Sequence, residues 1–230
     1  MKALIQTPTP DLEKSKEFYS TLKWKQINES PCIVSDGKAV VMINPDRFAR
    51  AGIVFYKDSW TAEKEKLAKD YTFWATPGGL CFMDPSGTWI YLNEGPSPVK
   101  HNPEEKSFGI TGNLAGLSME TSDMEKSYQL YTMLGFEKTM GGPEQGWLAM
   151  DNDEGFGISF MKPMACPHLF FNPSFTYFNG KEGNKKVIAD IQNAGIPITE
   201  EITHFNKEEK VDNIIIRDPG GFGFFLFNDG

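Results

Sequence analysis

One helix-like stretch occurs twice in this chain, as Asp11 to Trp24 (DLEKSKEFYSTLKW) and as Asp123 to Phe136 (DMEKSYQLYTMLGF). At one constant offset the copies agree at Asp11/Asp123, Glu13/Glu125, Lys14/Lys126, Ser15/Ser127, Tyr19/Tyr131 and Leu22/Leu134. Two unrelated amphipathic helices would coincide at a few positions by accident. Agreement this extensive at one offset is an internal duplication, so the fold must be one that can be built twice. Leu12, Ser15, Tyr19 and Leu22 recur at helical spacing on one face, with Glu13, Lys14, Lys16 and Glu17 mostly off it. Thr9 is the expected N-cap with Pro10 at the first helical position, and Thr121 with Ser122 offers the same pair in the second copy.

A chain of 230 residues buries roughly 70% of its unfolded surface and needs no metal or disulfide merely to fold. Lys and Arg total 23 against 31 acidic residues, a net charge of −8. No basic run interrupts this, which argues against nucleic acid and anionic membrane as partners. Cys32, Cys81 and Cys166 are odd in number, widely spaced and without a CxxC pair. They read as reduced thiols of a cytoplasmic protein. The opening MKALIQTPTP has no apolar core of a leader, and no apolar run approaches membrane-spanning length.

Taken in order, the chain reads as strand, helix and three strands, four times over. Residues 3–8 are a strand; Lys25 to Ile27, Cys32 to Ser35 and Ala39 to Ile43 follow the first helix, the last two joined by Asp36-Gly37. A second unit opens at Gly52: Ile53 to Tyr56 is a strand, Ser59 caps a charged helix to about Asp70, and strands are expected at Tyr71 to Trp74, Leu80 to Met83 and Thr88 to Asn93. Asp84-Pro85-Ser86-Gly87 is a type I turn before the last of these, and Asp218-Pro219-Gly220-Gly221 repeats it before Phe222 to Phe227. Gly95 to Asn113, rich in proline, glycine and charge, is the expected linker, which puts the first domain at 1–94 and the second at 114–230. In the second half strands are expected at Leu114 to Glu120, Gly146 to Met150, Phe156 to Met161 and Phe175 to Phe178. A helix from Glu182 to about Asn193 follows, then strands at Asn213 to Ile216 and Phe222 to Phe227. This half carries about 22 more residues between helix and turn, expected in loops.

These residues resemble the vicinal oxygen chelate superfamily, which includes glyoxalase I, bleomycin-resistance proteins and extradiol dioxygenases. The resemblance rests on Pro10 to Ser15 with Phe18-Tyr19, on Ser122 to Ser127 with Tyr131 and Leu134-Gly135-Phe136, and on the two Asp-Pro-x-Gly turns. It covers nearly the whole chain. It implies an α+β protein: a tandem pair of βαβββ-βαβββ domains, each a curved mixed sheet around a cavity. Metal-using members hold a divalent ion with His, Gln or Glu at four places on those strands. Here the corresponding places in the first half are Leu4, about Met42, about Gly52 and Tyr91; in the second they are Gly116, about Phe160, Pro173 or Ser174, and Phe225. Such an ion needs three or more N or O donors, and these side chains supply none, so the expectation is no metal and no cofactor.

Residues sharing strand parity with those places should face the cavities. In the first half these are Leu4, Gln6, Met42, Val54, with Tyr56, Trp89 and Tyr91; in the second, Gly116, Ser118, Glu120, Phe160, Tyr177 and Phe225. Such a lining is apolar and aromatic with a few polar handles, as in small-molecule pockets; a filled core is the alternative. Glu120 is the one carboxylate, readable as a general base or as a solvated strand end. His101, His168 and His204 share no ligand spacing and read as surface residues, and Asp151 to Gly155 reads as a hairpin turn. The first expectation is a cytoplasmic, metal-free protein of the glyoxalase and bleomycin-resistance type, holding an apolar or aromatic small molecule as a monomer or homodimer. The second is a lyase, isomerase or ring-cleaving dioxygenase with unusual metal ligands. The third is a half that has lost its ligand and only packs against the other.

Overall fold

The computed structural model of the chain describes residues 1–100 and 104–229; His101 lies outside them. The first half contains β1 (Lys2–Pro8), α1 (Leu12–Thr21), β2 (Lys25–Asn28), β3 (Cys32–Ser35) and β4 (Val40–Asn44). It continues with β5 (Gly52–Lys57), α2 (Thr61–Leu67), β6 (Trp74–Thr76), β7 (Gly79–Met83) and β8 (Trp89–Glu94). The second half repeats the series. Its elements are β9 (Leu114–Glu120), α3 (Met124–Met133), β10 (Phe136–Gly142), β11 (Trp147–Asn152), β12 (Gly157–Met161), β13 (Ser174–Phe178), α4 (Gly180–Asn193), β14 (Ile198–Ile202), β15 (Asn213–Arg217) and β16 (Gly223–Phe227). Each half forms one eight-stranded sheet, β2-β3-β4-β1-β5-β8-β7-β6 and β10-β11-β12-β9-β13-β16-β15-β14. The order is the same in both. In each sheet the two opening strands of the units run antiparallel at the centre, and each is parallel to the closing strand of its own unit. The tandem βαβββ architecture expected from the repeat is the architecture present.

Central strands such as Val40-Val41-Met42-Ile43 are apolar on both faces because both faces are covered. One face of each sheet contributes to a single buried core in which Ile5, Ile53 and Phe55 join Leu117, Phe175 and Phe224. Trp24, just past α1, packs its ring against Phe175 at 6.2 Å and Phe224 at 6.1 Å, both from the other half. The opposite faces form separate smaller clusters, around Leu4 and Val54 in the first sheet and around Ile215 and Phe225 in the second.

The identities of the repeat now have physical reasons. Asp11 and Asp123, rather than Thr9 and Thr121, cap the helices, accepting from the Lys14 and Lys126 N–H groups at 3.2 and 3.0 Å. The threonines instead bond Ser15 and Ser127 at 2.7 and 2.8 Å and so tie each helix back to its strand. Tyr19 and Tyr131 reach across to the other half's turn. The Tyr19 hydroxyl donates to Asp218 Oδ2 at 3.0 Å and that of Tyr131 to Asp84 Oδ2 at 2.9 Å. The remaining carboxylate oxygen holds the turn itself, taking the Thr88 N–H at 2.8 Å and the Phe222 N–H at 2.7 Å. Burial raises both carboxyls above their ordinary range. Two of the shared motifs are thus one crosswise tie, made twice.

Several sequence expectations need correction. The helix after Ser59 ends at Leu67 rather than near Asp70, and Tyr71 to Phe73 precede strand β6 instead of belonging to it. Strands β10 and β14 were not foreseen. Both are sheet edges with a bulge, so one side lacks a partner and their sequences, FEKTMGG and ITEEI, lose clean alternation. The additional residues of the second half lie in a longer α4 as well as in loops. Residues 95–100 and 104–113 carry no helix or strand. Among the described residues no helix is long and apolar enough to cross a membrane.

Candidate functional site

Register fixes which side chains share the free face of the first sheet. Gln6 lies opposite Met42 on one side and Gly52 on the other, and Gly52 lies opposite Trp89. One row away, Leu4 pairs Val54, Val54 pairs Tyr91, and Tyr91 pairs Cys81. Gly52 is required by close approach: a Cβ there would stand 2.1 Å from the Trp89 carbonyl oxygen. Gln6, Met42, Cys81, Trp89 and Tyr91 on this face are the floor of a cavity of about 740 Å³ that also receives Tyr56 and Asn93, while Leu4 and Val54 are buried against Val99. The β6–β7 hairpin, with Trp74 and the Pro77-Gly78 turn, makes one wall, and the loop 45–51 makes the other. The Trp74 and Trp89 rings meet edge to face at 5.5 Å, and Trp74 is 49% exposed, so the wall is open to solvent.

A neutral polar network lies along one side. Asn44 Nδ2 donates to Gln6 Oε1 at 2.9 Å, and Gln6 Nε2 donates to the Arg50 carbonyl at 3.0 Å. The Tyr91 hydroxyl lies 3.2 Å from both the carbonyl and the N–H of Arg50, so it can donate to one and accept from the other. Burial raises the Tyr91 and Tyr56 phenols and the Cys81 thiol above their ordinary values, which keeps all three uncharged at neutral pH. The site therefore offers aromatic faces and amide or hydroxyl hydrogen bonds. It has no nucleophile paired with a base.

The first-half candidates Gln6, Met42, Tyr56, Trp89 and Tyr91 all line this one cavity. Asn44, Arg50, Trp74, Cys81 and Asn93 line it too and were missed. Asn44 and Asn93 share parity with Met42 and Tyr91 and were within reach of the same reasoning. Trp74 lies on an edge strand and Arg50 on a loop, where parity gives no signal.

The second sheet is different. Ser118, Glu120 and Phe225 share its free face, with Ser118 Oγ bonded to Thr176 Oγ1 at 2.7 Å. Phe160 and Tyr177 do not. Phe160 pairs with Met119 and Tyr177 with Leu226, all in the inter-sheet core, and the Tyr177 hydroxyl donates to Asp36 Oδ2 of the first half at 2.9 Å. Phe160 is one residue out of step, and Tyr177 follows from Pro173 rather than from Ser174, the alternative place that the register puts on the free face; one residue exchanges the faces.

This free face is filled by the chain itself. The segment 162–173 lays Phe170 and Phe171 against Ile215 and Phe225, and the His168 ring stands edge-on to Phe225 and Phe227 at 5.2 Å from each. His168, expected at the surface, is half-buried: its ring packs on Phe225 and Phe227 while its Nδ1 bonds the Leu169 carbonyl at an exposed position. Glu120 anchors the segment, Oε1 accepting the Met164 N–H at 3.0 Å, and Glu200 takes the Leu169 N–H at 2.7 Å. That binds the one candidate carboxylate to its own backbone. His204 is exposed, as expected.

A divalent ion does not fit either face. In the first, the four inferred places carry Leu4, Met42, Gly52 and Tyr91, and the nearby Gln6 amide is engaged at both ends. In the second, the register puts Ser159 rather than Phe160 at the remaining place, and Gly116, Ser159, Ser174 and Phe225 offer two hydroxyls and no carboxylate or imidazole, that of Ser174 bonding the Phe171 carbonyl. Among the described residues no three His, Cys, Asp or Glu side chains gather as a metal site.

Paired βαβββ units closing one curved sheet, repeated in tandem with the same strand order, define the vicinal oxygen chelate fold. Comparison with solved structures finds this fold over nearly the whole chain. It is similar to a catechol 2,3-dioxygenase (14% identity, 96% of this chain and 85% of that one, TM-score 0.54). It is likewise similar to the 2,3-dioxygenase LapB from Pseudomonas sp. KL28 (19% identity, 99% and 91%, TM-score 0.53). A variant of homoprotocatechuate 2,3-dioxygenase from B. fuscum in complex with HPCA also matches (14% identity, 98% and 70%, TM-score 0.58). No protein-family model and no curated protein sequence matches the chain. At these identities the likeness establishes the fold, and function has to come from the site.

Proposed function

We propose that this protein is a metal-free binding protein of the glyoxalase and bleomycin-resistance type, which holds an apolar or aromatic small molecule in the concave cavity of its first sheet. One observation carries the reading: a cavity of about 740 Å³ lined by Tyr56, Trp74, Trp89 and Tyr91, with amides at Gln6 and Asn93. That size and that mixture of rings with a few placed polar groups suit a small organic ligand. The donor chemistry of both faces argues against a metal-dependent lyase, isomerase or dioxygenase. Three free cysteines support a reducing, cytoplasmic setting.

Titration with Nile red, an uncharged aromatic dye, tests the reading. Saturable binding to the native protein is expected. Replacing Trp89 and Tyr91 together with alanine should weaken it roughly tenfold to a hundredfold through lost ring contact and burial, with the fold intact by circular dichroism. Unchanged affinity in that variant contradicts this site. A stoichiometric Fe, Mn, Ni or Zn in protein purified without chelator contradicts the metal-free part.

A further inference from the structure

The duplication supplies a template for the occupant of the open cavity. Counted from the turn residues Asp84 and Asp218, Phe225 takes the place of Tyr91 and Phe227 that of Asn93. In the second sheet the space over that pair holds the His168 ring, with Phe170 beside it at 5.0 Å from Phe225. In the first sheet the shorter loop 45–51 leaves its own ring, Phe48, 86% exposed at the cavity's edge, and the matching space is part of the cavity instead.

The lining also selects by charge. The groups around the matching space are the Gln6, Asn44 and Asn93 amides and the Tyr56 and Tyr91 phenols, none of them ionised at neutral pH. Formal charge sits only on the rim, one of each sign, and both groups are engaged locally. Asp46 Oδ1 takes the Phe48 N–H at 2.7 Å, and Arg50 Nη1 donates to the Ala49 carbonyl at 2.9 Å. An ammonium carried inside would lose its water and meet, among the described residues, no carboxylate but that of Asp46 on the rim, and a carboxylate would meet only the solvent-exposed guanidinium of Arg50, bonded to the Ala49 carbonyl.

Resting on the binding reading above, we infer that the natural occupant is an uncharged, planar aromatic molecule. Its ring stands over Tyr91 and Asn93 as His168 stands over Phe225 and Phe227. Edge-to-face ring contact and burial hold the ring, and the amides discriminate through one hydrogen-bonding group on the ligand.

Calorimetric titration at neutral pH with naphthol, naphthoate and decahydronaphthol tests this, with Nile red alongside. Naphthol should bind saturably, naphthoate about a hundredfold or more weakly because its charge is stranded, and decahydronaphthol about tenfold more weakly for want of a ring face. Naphthoate matching naphthol overturns the charge selection, and decahydronaphthol matching it overturns the aromatic one, with the cavity reading standing in both cases. Nile red binding without naphthol also overturns the inference alone. Failure of every probe removes the binding reading and the inference with it. The pose has its own test in Asn93→Phe, which fills the matching space and should weaken naphthol about tenfold by overpacking. Independently of that variant, nuclear Overhauser contacts from naphthol to the Tyr91 ring are expected in the native protein. Contacts to Phe48 or Arg50 alone would contradict the pose.

Discussion

The two free sheet faces began as copies and now differ: the first keeps an open cavity over Gln6, Met42, Trp89 and Tyr91, with Val99 packed on Leu4 and Val54, whereas the second is covered by the segment 162–173. Strand order is identical, and the rows of paired residues correspond, so the sheets did not make the difference. The connection between the closing strand of one unit and the opening strand of the next did. In the first half it is the short loop 45–51; in the second it is the longer 162–173, long enough to fold back and place rings on Phe225 and Phe227. Matching strand residues followed: Tyr91 and Asn93 carry polar tips into an open space, whereas Phe225 and Phe227 present bare rings to a covering segment. A duplicated scaffold thus keeps one cavity and covers its twin through a longer loop together with apolar residues on the matching strand.

The largest expected effects set the filled face against the open one. Phe225→Ala should cost about 3–5 kcal/mol, because that ring is 1% exposed and leaves a cavity under a covering segment. Tyr91→Ala, at the wall of a space already open, should cost about 1–2 kcal/mol. Urea denaturation of both variants checks the ratio; equal losses would mean that the first face is packed as tightly as the second.

The crosswise ties offer a middle-sized test of symmetry. Tyr19→Phe and Tyr131→Phe each remove one hydrogen bond to a buried carboxyl and should lower stability by about 1–2 kcal/mol. Similar losses are expected, since the geometry is the same twice. A loss in one variant only would show that the halves are not held together equally.

A smaller effect lies in pH. Burial raises the folded-state pKa of Asp84 above its ordinary 3.8. The stability such a group contributes is complete below the unfolded pKa and is lost as pH rises through the folded one. Relative to Asp84→Asn, which does not titrate, the native protein should therefore lose stability as pH rises upward from about 3.8. Denaturation midpoints of both proteins across the acidic range check the sign; a native protein that gains relative to the variant contradicts it.

Much of this was legible in the sequence. The repeated Asp, Ser, Tyr and Leu positions gave the tandem units, and strand parity placed Gln6, Met42, Tyr56, Trp89 and Tyr91 on one face of the first half. What was not legible depends on contacts distant in sequence. The tyrosines' partners are in the other half's turns, and edge strands β10 and β14 lack the alternation that marks a covered strand. Phe160 and, from the Pro173 alternative, Tyr177 fell on the wrong face because a one-residue offset along a strand exchanges its faces. The filling of the second face by residues 162–173 has no periodic signature, since only folding brings His168 to Phe225.

On the proposed function, one sheet face binds a ligand and its twin is covered by the chain itself. Nile red stoichiometry measured in parallel for the native protein, the Trp89→Ala, Tyr91→Ala double variant and Phe170→Ala tests it most directly. The predicted result is one site per chain in the native protein, that site weakened in the double variant, and the native affinity retained in Phe170→Ala. Two equivalent sites, or a single site that survives the double variant and disappears with Phe170→Ala, would contradict it.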